Sequence, residues 1–286
     1  MEISELFSES LTYPTKDIDK LLTLGVLFFI DGLLSLSPSI TIALNQILAT
    51  KILYFISNIF GIVVFLIVLG YILSIVRDTI TNLDVSLINS EESYNSNIPS
   101  INIIKNIIDG IKILFISIIY YIVPLAITLI IAYFTGALNG LTKLLAIYLN
   151  YGPETMSNII QLSNISLNTN ILISLAVIGA ILFILTTLFL IIAIARLADT
   201  NSIKSVFNFK EIIKDINEIS WKNYLIIAIL LLIISFVILI IGAVVSVIPF
   251  IGLIIFFLAI LPFITIFYGR IIGLIYREVK MFKNIF

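Results

Sequence analysis

Long apolar runs alternate with short polar stretches along the chain, and the run lengths predict the elements. A helix rises ~1.5 Å per residue, so crossing ~30 Å of hydrocarbon takes about 20 apolar residues. Residues 52–76, "ILYFISNIFGIVVFLIVLGYILSIV", form one such run between Lys51 and Arg77. Residues 113–135 form another, with a kink or local unwinding expected at Pro124. Residues 171–195 form a third. From Asn223 to Gly269 no charge occurs, and one helix of that length would be about 70 Å long. The run must turn, and "SVIPFIG" around Pro249 is the place, giving spans over 223–246 and 250–269. The stretch 21–48, interrupted by Asp31, Gly32 and Pro38, reads as one further span ending between Leu36 and Leu48. The predicted fold is an all-α integral membrane protein with six transmembrane helices.

Polar positions then predict orientation. With six spans, one side holds the N-terminus, 77–112, 196–222 and the C-terminus. All of the 16 Lys and Arg residues except Lys51 and Lys143 lie on that side. Such a bias places both termini in the cytoplasm of a multi-pass plasma-membrane protein. Trp221, Tyr224, Tyr268 and Tyr276 flank the same charges, where an aromatic belt belongs.

Helical periodicity appears in the segments that lead into the spans. Phe209, Ile212, Ile213, Ile216 and Ile219 recur on one face, opposite Lys210, Lys214, Asp215 and Glu218. In 101–112, Ile104, Ile107, Ile108 and Ile111 oppose Lys105, Asn106, Asp109 and Lys112. The N-terminus offers Ile3, Leu6 and Phe7 against Glu5 and Glu9. Each segment precedes a pair of spans, and each pair ends with an arginine near an acid: Arg77 with Asp78, Arg196 with Asp199, Arg277 with Glu278. The predicted plan is three hairpins, each preceded by a cytoplasmic interfacial amphipathic helix. The repeat-like units run about 1–80, 100–200 and 203–286 within a single polytopic domain, 1–286. Polar loops are expected over 78–100 (cytoplasmic) and 136–170 (external).

Composition narrows the chemistry. Hydrophobic residues make up 60% of the chain and charged residues 12%, too little charge to cover a soluble domain of this size. There is no cysteine and no histidine, which removes disulfides, thiol nucleophiles, Cys/His zinc sites and Ser-His dyads. The net charge of -1 offers no basic field for nucleic acid. "MEISELFSES" lacks the positive start of a cleavable signal peptide and is taken as mature sequence. No catalytic, cofactor-binding or metal constellation stands out. Glu91–Glu92 sits in a Ser/Asn-rich stretch, and the Asn164 sequon falls in a loop expected outside.

Asp31 is the one charge deep in an apolar run, and with Asn58 it forms the candidate intramembrane polar site. A proton or cation site is the functional reading. The blander one, favoured by the lack of any Lys, Arg or His within a span, is that Gly32 and Pro38 end the first helix early. Asp31 would then lie near the outer surface.

Several fragments resemble an uncharacterised archaeal membrane family catalogued as domain of unknown function 4013. They are "YPTKDIDKLLTLG", "GYILSIVRDTI", "IIDGIKILFISIIYYIVP", "FNFKEI" and "GRIIGLIYRE", in order along the chain. The resemblance implies a multi-pass membrane protein with no established activity. Its pattern positions would be Tyr13, Pro14, Gly70, Arg77, Gly110, Pro124, Phe207, Phe209, Gly273, Tyr276 and Arg277. The expected role is non-enzymatic: membrane organisation or partner binding, with the lipid bilayer, a second copy or another membrane protein as partner. A small-solute transporter or channel is the alternative.

Overall fold

The computed structural model describes residues 2–89, 97–152 and 169–285, and every regular element among them is helical. Helix α1 (Ile3–Thr12) leads through a 3-10 turn (Tyr13–Lys16) into α2 (Ile18–Ala43), followed by α3 (Ile47–Asn89). Then come α4 (Ile103–Phe134), α5 (Ala137–Tyr151), α6 (Thr169–Thr200), α7 (Ile203–Val206), α8 (Phe209–Ile219) and α9 (Trp221–Ser246). The chain closes with α10 (Ile251–Ile255), a π-helical turn (Phe256–Ile260) and α11 (Leu261–Ile285). Among the described residues six helices are long and apolar enough to cross a membrane: Ile18–Ala43, Ile47–Thr81, Ile103–Phe134, Asn170–Thr200, Trp221–Ser246 and Ile251–Met281. Glu91, Glu92 and Asn164 lie outside the described residues.

Local chemistry explains the boundaries. Asp17 caps α2 by accepting from the Lys20 N–H at 3.1 Å, and Asn208 caps α8 through the Glu211 N–H. Asn45 and Asn201 take positive φ at helix exits, a conformation asparagine tolerates well. Phe250, at φ 60°, centres a γ-turn in which the Ile251 N–H donates to Pro249 O at 2.7 Å. That turn lies where the uncharged run was expected to reverse.

The first span ends at Ala43, within the expected range of Leu36 to Leu48. The alternative, an early end at Gly32 and Pro38, does not occur, because α2 runs through both. Proline at 38 leaves the carbonyl of Leu34 without its helical donor, and the Ser37 hydroxyl donates to that carbonyl at 2.7 Å. Pro124, where a kink or local unwinding was expected, sits inside an uninterrupted α4, and the Thr128 hydroxyl donates to the Pro124 carbonyl at 2.7 Å. Pro262 cannot donate to Leu258 O, and the π-helical turn occupies this same stretch. Helix also replaces expected loop: α3 continues through 78–89, and α5 occupies 137–151.

The chain forms two compact bodies. The larger comprises Met1–Phe115 with Ile191–Phe286; the smaller is Ile116–Leu190. In the larger body α3 packs on α2 and α11, around a core that includes Tyr13, Leu24, Tyr71, Ile75, Ile98 and Ile266. Small residues bring these helices together. Gly269 and Gly273, one turn apart on α11, face Ile75 and Thr79 of α3. Gly70 meets the backbone of Asn106, and Gly110 meets that of Leu66, so α3 and α4 touch backbone to backbone. The smaller body gathers Ala132, Ala137 and Leu175, and Tyr121 bonds the Thr187 hydroxyl at 2.8 Å while stacking on Phe183.

Candidate functional site

Three short stripes in the larger body build its charged region. Each has an acid three residues after the first position and packs the first, fifth and eighth positions inward, which share one face of a helix. The stripes are Leu6, Glu9, Ser10, Tyr13; Asn106, Asp109, Gly110, Ile113; and Ile212, Asp215, Ile216, Ile219. Every one of these residues is buried except Glu9, which is half-buried. Sequence periodicity found the helices, and in α8 it placed Ile212, Ile216 and Ile219 on a face that is buried, with Lys210 and Lys214 exposed. Asn106, Asp109 and Asp215, expected on the polar faces, are buried in the body, while Ile104 at 74% exposure, Ile108 and Ile213 are exposed.

Each stripe acid takes an arginine from another part of the chain. Arg196 Nη1 donates to Asp215 Oδ2 at 2.6 Å, with the Asp215 side chain fully buried. Arg77 Nη1 donates to Asp109 Oδ2 at 3.1 Å, while Lys112 Nζ donates to Asp109 Oδ1 at 2.8 Å. Arg270 Nη2 donates to Glu9 Oε1, and its Nη1 donates to Thr79 Oγ1 at 3.2 Å. Arg270 is 1% exposed, and its guanidinium carbon stands 4.4 Å from the centre of the Tyr13 ring. Burial pushes the Tyr13 hydroxyl above its ordinary range, with the Arg270 charge working in the opposite direction.

The acids that neighbour these arginines in sequence have contacts of their own. Asp199 takes Lys280 at 2.7 Å rather than Arg196. Glu9 and Glu278 are the carboxylates whose charges act on Arg277. A buried guanidinium must find a carboxylate at hydrogen-bonding range, because the cost of leaving it in a low-dielectric interior far exceeds any sequence-local preference.

Pattern positions divide between packing and this region. Gly70, Gly110 and Gly273 allow the helix approaches already described, and Pro14 is buried beside Tyr13. Tyr276 is buried among the charges of Asp215, Asp199 and Arg196. Phe207 is half-buried and Phe209 exposed. Asp31 and Asn58 are not joined by a hydrogen bond through the buried Asp31 oxygen. Among the described residues Asp31 Oδ1 has no hydrogen-bond partner, and it lies against Gly61 of α3, whereas the Asn58 amide donates to its own helix at Tyr54 O, 2.6 Å away. Glu9, Asn106, Asp109, Asp215 and Arg270 were missed as site residues. The recurring acid position in the three stripes was the signal that could have found them.

Two open cavities adjoin the Arg77–Asp109 pair. One, of about 670 Å³, is lined by Arg77, Lys105, Asp109 and Lys112 together with Asn102, Asn201, Ile104 and Ile108. The other, of about 360 Å³, shares Arg77, Asn102 and Lys105 and adds Asp78 and Ser74. In the smaller body a cavity of about 240 Å³ is lined by Asn170, Ser174 and Thr135 among apolar side chains. Among the described residues no group of three acids, histidines or cysteines could hold a metal ion.

A family described as a protein of unknown function, DUF4013, has a model that matches residues 52–247. No curated protein and no solved structure matches the chain.

Proposed function

We propose, from the premise that the chain belongs to the DUF4013 family of proteins of unknown function, that it is a non-enzymatic organiser of the plasma membrane. Its partners are lipid, a second copy or another membrane protein. Six spans in three hairpins thread the bilayer, each hairpin led by an amphipathic helix in the cytoplasmic interface, with both termini cytoplasmic.

One observation carries this reading: the order of the arginine clasps. Taking the repeats as 1–80, 100–200 and 203–286, Arg77 of the first holds Asp109 of the second. Arg196 of the second holds Asp215 of the third, and Arg270 of the third holds Glu9 of the first. The chain of clasps closes on itself. Those side chains are committed to tying interfacial segments to span ends, which is how a rigid scaffold uses charge. It leaves outward faces rich in isoleucine, including Ile104, Ile108 and Ile213, for lipid or a partner.

A small-solute transporter or channel is the second reading, favoured by Asp31. This carboxylate sits midway along a 26-residue apolar helix with one oxygen unpartnered. Purified protein in liposomes separates the two. A scaffold holds an imposed proton or sodium gradient as long as protein-free liposomes do. Gradient loss that Asp31→Asn abolishes would replace the scaffold with the transporter.

A further inference from the structure

We propose that the cavity at the start of α4 binds the phosphate of an anionic phospholipid headgroup. The inference rests on the reading that this end of the larger body lies in the cytoplasmic interface. The cavity of about 670 Å³ is lined by three cations, Arg77, Lys105 and Lys112, and by one carboxylate, Asp109. That carboxylate already accepts from both Arg77 and Lys112. Asp78 lines the adjoining cavity, not this one.

Unspent donors point at a ligand. Of the Arg77 guanidinium, only Nη1 is engaged, through Asp109; among the described residues Nε and Nη2 have no hydrogen-bond partner. Lys105 Nζ forms no ion pair among the described residues, and Lys112 uses one of its three donors on Asp109. The guanidinium fork and two ammonium groups match the oxygens of a phosphate, which accepts several charge-assisted bonds at once.

The wall decides the kind of phosphate. Ile104 and Ile108 line the same cavity, and both are more than half exposed. A freely diffusing phosphate gains nothing from two outward isoleucines. A phospholipid places its headgroup on the cations and its glycerol and upper acyl carbons along Ile104 and Ile108, which burial alone makes favourable. The anionic cytoplasmic leaflet supplies such headgroups at high local concentration.

The test uses the full chain in nanodiscs of phosphatidylcholine, with or without phosphatidylglycerol, and reads retained lipid by native mass spectrometry. Lys105→Gln is the primary variant, because among the described residues its side chain forms no ion pair and the fold should be untouched. Lys105→Gln with Lys112→Gln is the second, since Asp109 keeps Arg77. Lys143→Gln is the control. The expected result is preferential retention of phosphatidylglycerol, about fivefold weaker for each lysine removed, weakened further by salt and unchanged in the control. Equal retention by the native chain and the double variant would overturn the proposal. So would stabilisation by inorganic phosphate alone that matches the lipid and is lost in the same variants, because a soluble phosphoester site would then remain. Topology is read separately by cysteine labelling, so a failed lipid test leaves the threading standing, whereas failed threading removes the interface on which this site depends.

Discussion

Burial grades the three clasps. Asp215 is fully enclosed, so removing Arg196 takes its cation from a carboxylate in a low-dielectric site. The Arg196→Ala variant should lose about 3–5 kcal/mol of stability, the usual penalty for an uncompensated buried charge. Glu9 keeps a quarter of its side-chain surface exposed, and Glu9→Gln retains an acceptor for Arg270, so its loss should be nearer ~1 kcal/mol. Asp109 has two cations, and Arg77→Ala should fall between, because Lys112 remains. Denaturant unfolding in one detergent, read by circular dichroism, orders the three. The reverse order would mean that the clasps do not bear on stability as burial implies. These pairs join residues far apart in the chain, up to Glu9 with Arg270, and only the fold brings them together. Sequence showed only which acids neighbour each arginine along the chain, Asp78, Asp199 and Glu278.

At the scale of elements, helix approach rests on glycine. A Cβ at Gly70 would run into the backbone of Asn106, which cannot move without unwinding α4. At Gly179 the nearest atom is a Thr128 methyl at 3.4 Å, an ordinary contact. Gly70→Ala should therefore abolish the folded, monodisperse protein, whereas Gly179→Ala should leave its melting temperature unchanged or slightly raised. Size-exclusion profiles with thermal melts check both; equal tolerance would contradict the backbone contact. The spans themselves were legible, since uninterrupted apolar runs of sufficient length admit little but a crossing helix. The end of α2 was legible as a range, since Ala43 falls between Leu36 and Leu48. The early stop at Pro38 does not occur, and the Ser37 hydroxyl satisfies Leu34 O there. Burial of the polar positions was not legible. Periodicity marks which side of a helix is apolar, but in a lipid-facing bundle that side can turn outward, as Ile104 and Ile108 do, while Asn106 and Asp109 turn in.

At the scale of the whole molecule, charge and threading belong to one account. All Lys and Arg but Lys51 and Lys143 cluster in segments that six crossings would put on a single side. The stripes and clasps sit in those same segments. If the crossings are miscounted by one, the clasp of Glu9 with Arg270 would need to form across a bilayer, which no side chain spans. The absence of native cysteine makes this directly measurable, because any introduced thiol is the sole target. Lys204→Cys and Lys143→Cys, each probed with a membrane-impermeant maleimide in intact cells and then after permeabilisation, provide the decisive comparison. The account predicts that the cysteine at 143 labels in intact cells and the one at 204 only after permeabilisation; labelling of 204 from outside would contradict it.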